Sequence, residues 1–428
     1  MVHVTAPAPQ SAQPAAALPA LVTALGLASL LPYLYLLRLG DLGGHRAEYG
    51  ASMLVALALY LPAVALVARF SRPLSHRSLA LIFGFGIAFR AVTVLSVPQL
   101  SDDMFRYIWD GRVQAQGISP YAYPPAAPEL APIRDDAIWP RINRRGSLTV
   151  YPAGAELAFA ALWRVLPERL LWFQGAMALS GLSAGVVLLF LLRALGKSEA
   201  LVLAFLWSPA LIVETSHSAH VEGLVLPAVV LAWLACARGR SGWTGAALGA
   251  ATALKLYPAL LAPALWREGE DPRRPRASWL RLPAAFLASV TAAYLPYLHD
   301  GRNLLGYLPS YFGERSDTAL SRAIAGIMAR AGLDPRAFST GILAAGLAAV
   351  SLALLVRPAR DPENAIARCI WPISALALLS QNVQPWYLLW ALPLATIFLR
   401  SGPLGLRLDV WTCALLASNL ACLSYAIF

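Results

Sequence analysis

The sequence predicts an all-α, polytopic integral membrane protein: one bundle of about eleven to thirteen transmembrane helices spanning residues 17–428. Three observations predict it. Of the 428 residues, 58% are hydrophobic and 13% charged, whereas an ordinary globular domain carries about 25% charged residues; this excludes a soluble enzyme. Apolar stretches recur at 18–37, 51–68, 170–192, 276–298, 338–356 and 404–426, each long enough to cross a hydrocarbon core of about 30 Å. The alternation of a membrane barrel is absent, and lipid satisfies no backbone groups, so the spans must be helices.

Taken in order, the first 16 residues read as a disordered cytoplasmic tail without a cleavable leader, followed by a retained first helix. Arg69, Arg72 and Arg77 set the loop after the second helix in the cytoplasm, so the segment after the third helix, about 97–150, is external. Arg193 with Lys197, the run from Arg267 to Arg281, Arg357 to Arg368, and Arg400 with Arg407 mark further cytoplasmic loops. That leaves 214–221, 299–318, 381–386 and the C-terminus outside. The net charge of +11 is therefore a matter of orientation in the membrane and not of nucleic-acid binding. Two segments conflict with this parity: 152–166 must begin and end outside, and 241–266 lies between basic loops. Broken helices resolve the conflict, with the break in the second segment at Lys255, Tyr257 and Pro258, because irregular backbone survives at membrane depth where it lines a cavity. The four cysteines (Cys236, Cys369, Cys413 and Cys422) lie in or beside apolar segments without metal-like spacing. No metal or cofactor is expected.

The external loop concentrates the ionisable residues. Six acids (Asp102, Asp103, Asp110, Glu129, Asp135, Asp136) balance six arginines (Arg106, Arg112, Arg134, Arg141, Arg144, Arg145), interleaved with Trp109, Tyr121, Tyr123, Trp139 and Tyr151. Ser101 and Gly117 bracket a short juxtamembrane helix at about 102–116. On that helix Asp103, Arg106, Tyr107 and Asp110 share one face. Two acids in a first helical turn ordinarily serve the helix dipole. At a membrane mouth, however, one of them can take a proton from an acceptor hydroxyl, its neighbour raising its affinity for that proton. The arginines, Arg106 and Arg112 foremost, suit a phosphate leaving group, which needs cations more than a proton donor.

The strings SDDMFRYIWDGRVQAQGISPYAY, IRDDAIWPRIN and TVYP resemble the first external loop of GT-C glycosyltransferases, in particular the family-87-like, polyprenol-phosphate-mannose-dependent mannosyltransferases. WSPALIVETSHSAHVEGL, AATALKLYPALLAPAL and QNVQPWYLLWALPL extend the likeness more loosely over most of the chain. The resemblance implies an inverting, metal-independent transfer of a hexose, mannose by this likeness, from a polyprenyl-phosphate donor to a lipid or glycan acceptor. It places that transfer at the periplasmic face of a bacterial inner membrane, with an acid of this loop as base. The family pattern fits Asp103 and Tyr107 best, but Arg106 stands where an apolar residue is usual, leaving the base between Asp103 and Asp102.

Elsewhere, Lys255 is a lone cation in an apolar segment and so a functional candidate, expected on the donor phosphate with Tyr257 nearby. His217, His220 and Glu222 cluster at an external helix junction and are assigned to substrate binding, since no fourth metal ligand is evident. Gln381, Asn382, Gln384, Trp386 and Tyr387 form a turn of amides and rings suited to sugars, as do Trp109, Asp110 and Tyr151 in the loop. The competing reading is a transporter or flippase for a lipid-linked sugar, which should place its ionisable groups in paired broken helices at the bilayer midplane. Here most of them sit in one asymmetric external loop.

Overall fold

The computed structural model describes residues 18–70, 74–266, 276–311, 326–327, 329–332, 334–380, 382–402 and 405–427. The expected tail 1–16, Arg72, residues 267–275 of the basic run, residues 312–318 of one external loop and Gln381 lie outside them. The described chain is helical apart from one two-residue hairpin, in which Ser401–Gly402 pairs antiparallel with Gly405–Leu406.

Helices α1 (Leu18–Leu39), α2 (Arg46–Ala68), α3 (His76–Val94) and α6 (Leu170–Ala194) are long and apolar enough to cross a membrane, as is the C-terminal stretch Val410–Ile427. The pair Glu199–Leu206 and Pro209–His217 makes a further span if its 58° bend is one broken helix. The bend falls at Ser208, whose hydroxyl caps Leu211 N (3.2 Å) and donates to Asn419 Oδ1 (2.7 Å). Proline following in the first turn has no N–H to lose there. The polytopic all-α expectation thus holds, but several expected spans are short or interrupted. Residues 153–165 form α5 (Ala153–Val165), thirteen residues and too short to cross. Helix α10 (Ser241–Leu254) stops at Lys255, whose backbone is extended (φ −158°, ψ 140°) before the 3₁₀ turn Tyr257–Leu261. The break lies where Lys255, Tyr257 and Pro258 led it to be expected.

The polar loop after α3 opens with α4 (Asp103–Ala115), whose Asp103 in the first turn and Arg112 in the last complement the helix dipole. It ends before Gly117, which turns the chain at φ +75°. Helix α4 packs against α5 so closely that a Cβ on Gly111 would lie 2.8 Å from Phe159 O. These two helices share an apolar cluster of their own, with Met104, Trp109, Phe159 and Phe173 buried in it. The loop is tied to a second segment, Leu295–Leu305: Ser119 Oγ donates to Asp300 Oδ2 (2.5 Å), and Tyr307 N beyond it donates to Thr149 O (2.8 Å). Gly306 makes that approach possible, since its φ is +52° and a Cβ would meet Thr149 O at 2.0 Å. The membrane bundle has a separate, larger core that includes α1–α3, α6, α9 (Glu222–Ala237) and α10.

Candidate active site

A cavity of about 760 Å³ lies where the external loop meets the broken helices. Its polar lining comes from Asp102, Asp103, Asn143 and Arg144 of the loop, from Lys255 at the helix break, and from Asn382 and Gln384. Tyr151, Tyr257, Trp386, Tyr387 and Trp390 add rings, and Leu260, Leu343, Leu347 and Leu376 an apolar wall.

The two carboxylates share one donor. Asn143 Nδ2 lies 2.8 Å from Asp102 Oδ1 and 2.7 Å from Asp103 Oδ1, so each amide hydrogen serves one acid. Burial pushes the Asp102 carboxyl above its usual range, against the Asn143 bond, and the like charge of Asp103 adds to the rise. Beyond Asn143, Arg144 adopts φ +45°, a conformation disfavoured for any residue but glycine. That turn of the backbone lets two consecutive side chains line one cavity, where an extended strand would send them to opposite sides.

Of the loop's six arginines, Arg144 is the one that lines the cavity. The others hold the loop together. The buried Nε of Arg106 donates to both carboxylate oxygens of Asp110 (2.8 and 2.9 Å), and Arg112 bridges Glu168 (2.6 Å) and Asp135 (2.7 Å). Arg134 lies over the Trp139 ring (4.4 Å) and Arg141 over Phe105 (3.9 Å), while Arg145 is 5.5 Å from Trp139. The shared helix face of Asp103, Arg106, Tyr107 and Asp110 therefore divides: Asp103 faces the cavity, and Arg106 and Asp110 neutralise each other away from it. Trp109 is also buried outside the cavity, against Trp139 at 5.4 Å. Tyr107 stacks on Phe159 (4.4 Å) and meets Tyr151 edge-on (5.1 Å), its hydroxyl accepting from Val221 N (3.3 Å).

Behind the lining stands a second row of charged groups. Lys255 Nζ is ion-paired with Glu222 Oε1 and lies 4.6 Å from the Tyr387 ring centroid and 5.6 Å from that of Trp390. Tyr257, Trp390 and Tyr387 stack in sequence at 3.6 and 4.7 Å. The two histidines are engaged separately. His217 Nε2 accepts from Gln99 N (3.3 Å), so its proton sits on Nδ1, 2.7 Å from Ser96 Oγ, whose own hydrogen goes to Thr93 O. His220 stacks on Trp386 at 3.8 Å, with Nε2 3.0 Å from Ser101 Oγ and 3.9 Å from Asp103 Oδ2.

The structure thus brings Asp102, Asp103, Tyr151, Lys255, Tyr257, Gln384, Trp386 and Tyr387 to one cavity. His220 and Glu222 stand directly behind it, and Arg106, Tyr107, Trp109, Asp110, Arg112 and His217 belong to the scaffold around it. Sequence reasoning missed Asn143, Arg144 and Glu214. Asn143 has no local signal, because it meets Asp102 across 41 residues; Glu214, an acid in an apolar run, carried the ordinary signal of an ionisable residue at membrane depth.

Residues 149–381, more than half of the 428, match the model of glycosyltransferase family 87. The chain belongs to that family. The match begins at Thr149, so Asp102, Asp103, Asn143 and Arg144 lie before it, while Lys255, Glu222 and His220 lie within it. No curated protein and no solved structure matches this family 87 glycosyltransferase significantly.

Proposed function

We propose that this glycosyltransferase takes a hexose, mannose by its resemblance, from a polyprenyl-phosphate donor and transfers it with inversion to a hydroxyl of a lipid or glycan acceptor. The reaction takes place at the periplasmic face of a bacterial inner membrane. The observation that carries this reading is the mixed lining of one cavity: paired carboxylates, two cations, sugar-compatible rings and amides, and a wall of leucines. A prenyl-phosphate sugar has those same parts. Its chain suits Leu260, Leu343, Leu347 and Leu376, its phosphate the cations, and its pyranose the rings of Trp386 and Tyr387 and the amide of Gln384.

Asp103 is the base. As the acceptor oxygen bonds to the anomeric carbon from the face opposite the phosphate, its proton passes to Asp103, and the electron pair of the breaking C–O bond leaves on the phosphate. Arg144 and Lys255, the cations of the cavity lining, stabilise the charge that grows there, whereas Arg106 and Arg112 lie outside that lining. One carboxylate suffices because phosphate leaves without protonation, whereas glycosidases need a second acid.

The test supplies radiolabelled polyprenyl-phosphate mannose to purified protein in lipid, with lipid and glycan acceptors in parallel. Labelled product with the parent and none with Asp103→Asn supports the reading. Transfer from a nucleotide sugar instead, or transfer that survives in Asp103→Asn, overturns it.

A further inference from the structure

The turn that carries His220 is built at a cost. It follows a π-helix at Val213–His217, a form rare outside functional sites, and passes through Ala219, fully buried at φ +55°. His220 N then donates to Glu214 O (2.8 Å), closing the turn. Its product is one geometry: His220 Nδ1 lies 2.8 Å from Glu214 Oε2, while Nε2 faces Ser101 and Asp103. Glu214 is 1% and His220 0% exposed. A buried carboxylate without a counter-charge is strongly disfavoured, and besides this contact Glu214 Oε2 accepts from the Tyr425 hydroxyl at 3.1 Å.

We propose that Glu214 and His220 are positioning residues forming a buried charged pair: Glu214 keeps the ring protonated on both nitrogens, and the imidazolium holds Asp103 ionised as the base. The proposal rests on Asp103 being that base. Every charged or titratable group facing the ring bears on its state. Glu214 and Glu222 on its own segment and Asp103 on α4 favour the cation, while His217 on the same turn is a neutral ring whose Nε2 accepts from Gln99 N; Tyr425 reaches Glu214 from the C-terminal helix, and Lys255 is engaged with Glu222. Burial alone would lower the affinity of His220 for its second proton, but the contact with Glu214, then Asp103 and Glu222, more than offsets it, and the net direction is upward.

Two readouts test the pair. Nitrogen-15 histidine spectra of the protein in lipid nanodiscs, with the His220 signal assigned among six histidines by its loss in His220→Gln, report the ring's protonation without any substrate. At pH 7 the ring is doubly protonated in the parent and neutral in Glu214→Gln. The pH profile of kcat/KM reads the same charge: losing the cation removes the positive charge that faces the base, and the acidic limb moves about one pH unit higher in Glu214→Gln. It moves equally in His220→Gln, and the double variant moves no further. A neutral ring in the parent overturns the proposal even if Glu214→Gln does not fold. So does an unmoved limb in a variant that keeps the parent's thermal stability. Transfer that survives in Asp103→Asn instead refutes Asp103 as the base, and leaves the charge state of His220 to be read from the spectra.

Discussion

Asn143 spends both hydrogens of its amide on Asp102 and Asp103, and Asp103 alone of the two acids also has His220 within 4 Å, at 3.9 Å. The roles of the neighbours should divide accordingly. Asp103→Asn is expected to lower kcat at least about 100-fold with donor affinity retained, because an amide keeps the shape but cannot take the proton. Asp102→Asn should keep most of the activity, and a dead Asp102→Asn beside an active Asp103→Asn would transfer the base by one residue. Lys255 makes a different case. Its partner Glu222 is fully buried, so Lys255→Met strands a carboxylate as well as removing a phosphate ligand. A loss of roughly 3–5 kcal/mol in stability is expected from the stranded charge. Adding Glu222→Gln should recover much of that stability while donor affinity stays low. If thermal unfolding and donor binding recover together, Lys255 serves only Glu222.

At the scale of elements, the closest helix packing in the bundle uses small residues. Helix α10 carries Gly245 and Gly249 one turn apart, and α12 (Arg281–Tyr294) lies across them, so that a Cβ would meet Leu282 O at 2.1 Å and Phe286 O at 2.5 Å. This is the small-xxx-small pairing of membrane helices, where backbone proximity replaces the hydrophobic drive that lipid removes. Gly245→Val should cost about 1–3 kcal/mol by overpacking. It should also disturb the site, because α10 ends at Lys255 and any shift of its axis moves that cation. Gly242, on the same helix with nothing within 4 Å of its Cβ position, is the control: Gly242→Ala should unfold at the parent's temperature or slightly above. Equal effects of the two substitutions in a thermal-shift assay would argue against close α10–α12 packing.

Over the whole molecule, the external loop is held by polar and cation–π contacts as well as by its apolar cluster, and this makes its anchoring sensitive to pH. Asp135 shows the sign. Although partial burial opposes it, the Arg112 contact and the amides of Ile138 and Trp139 hold its carboxyl down at about 2. A carboxylate depressed in the folded state contributes stability above its unfolded value of about 3.9 and loses it as pH falls through the folded one. The unfolding temperature of the parent should therefore exceed that of Asp135→Asn above about pH 4, and the gap should close between pH 4 and about 2. A gap constant over that range would mean that the Arg112–Asp135 ion pair is lost in solution.

The sequence by itself determined the class of the molecule and singled out a loop and a helix break that the fold brings to one cavity. Composition and the length of apolar runs dictate helices in lipid, since a helix satisfies its backbone groups within one segment and the alternation that a closed barrel needs is absent. Charge asymmetry singled out the external loop, and a lone cation beside a proline marked the helix break at Lys255. The tertiary structure alone decided which of the loop's charges face the cavity. Arg106, Arg112 and Arg144 are the same residue type in one loop, and what separates them is where folding puts them: Asp110, Glu168 and Asp135 hold the first two in ion pairs outside the cavity lining, whereas a left-handed turn carries the third to the cavity wall. Asn143 was hidden for the same reason, because the acids that give it meaning come from a distant part of the chain, whereas Glu214 showed in the sequence as an acid in an apolar run and only the strained turn gave it a partner.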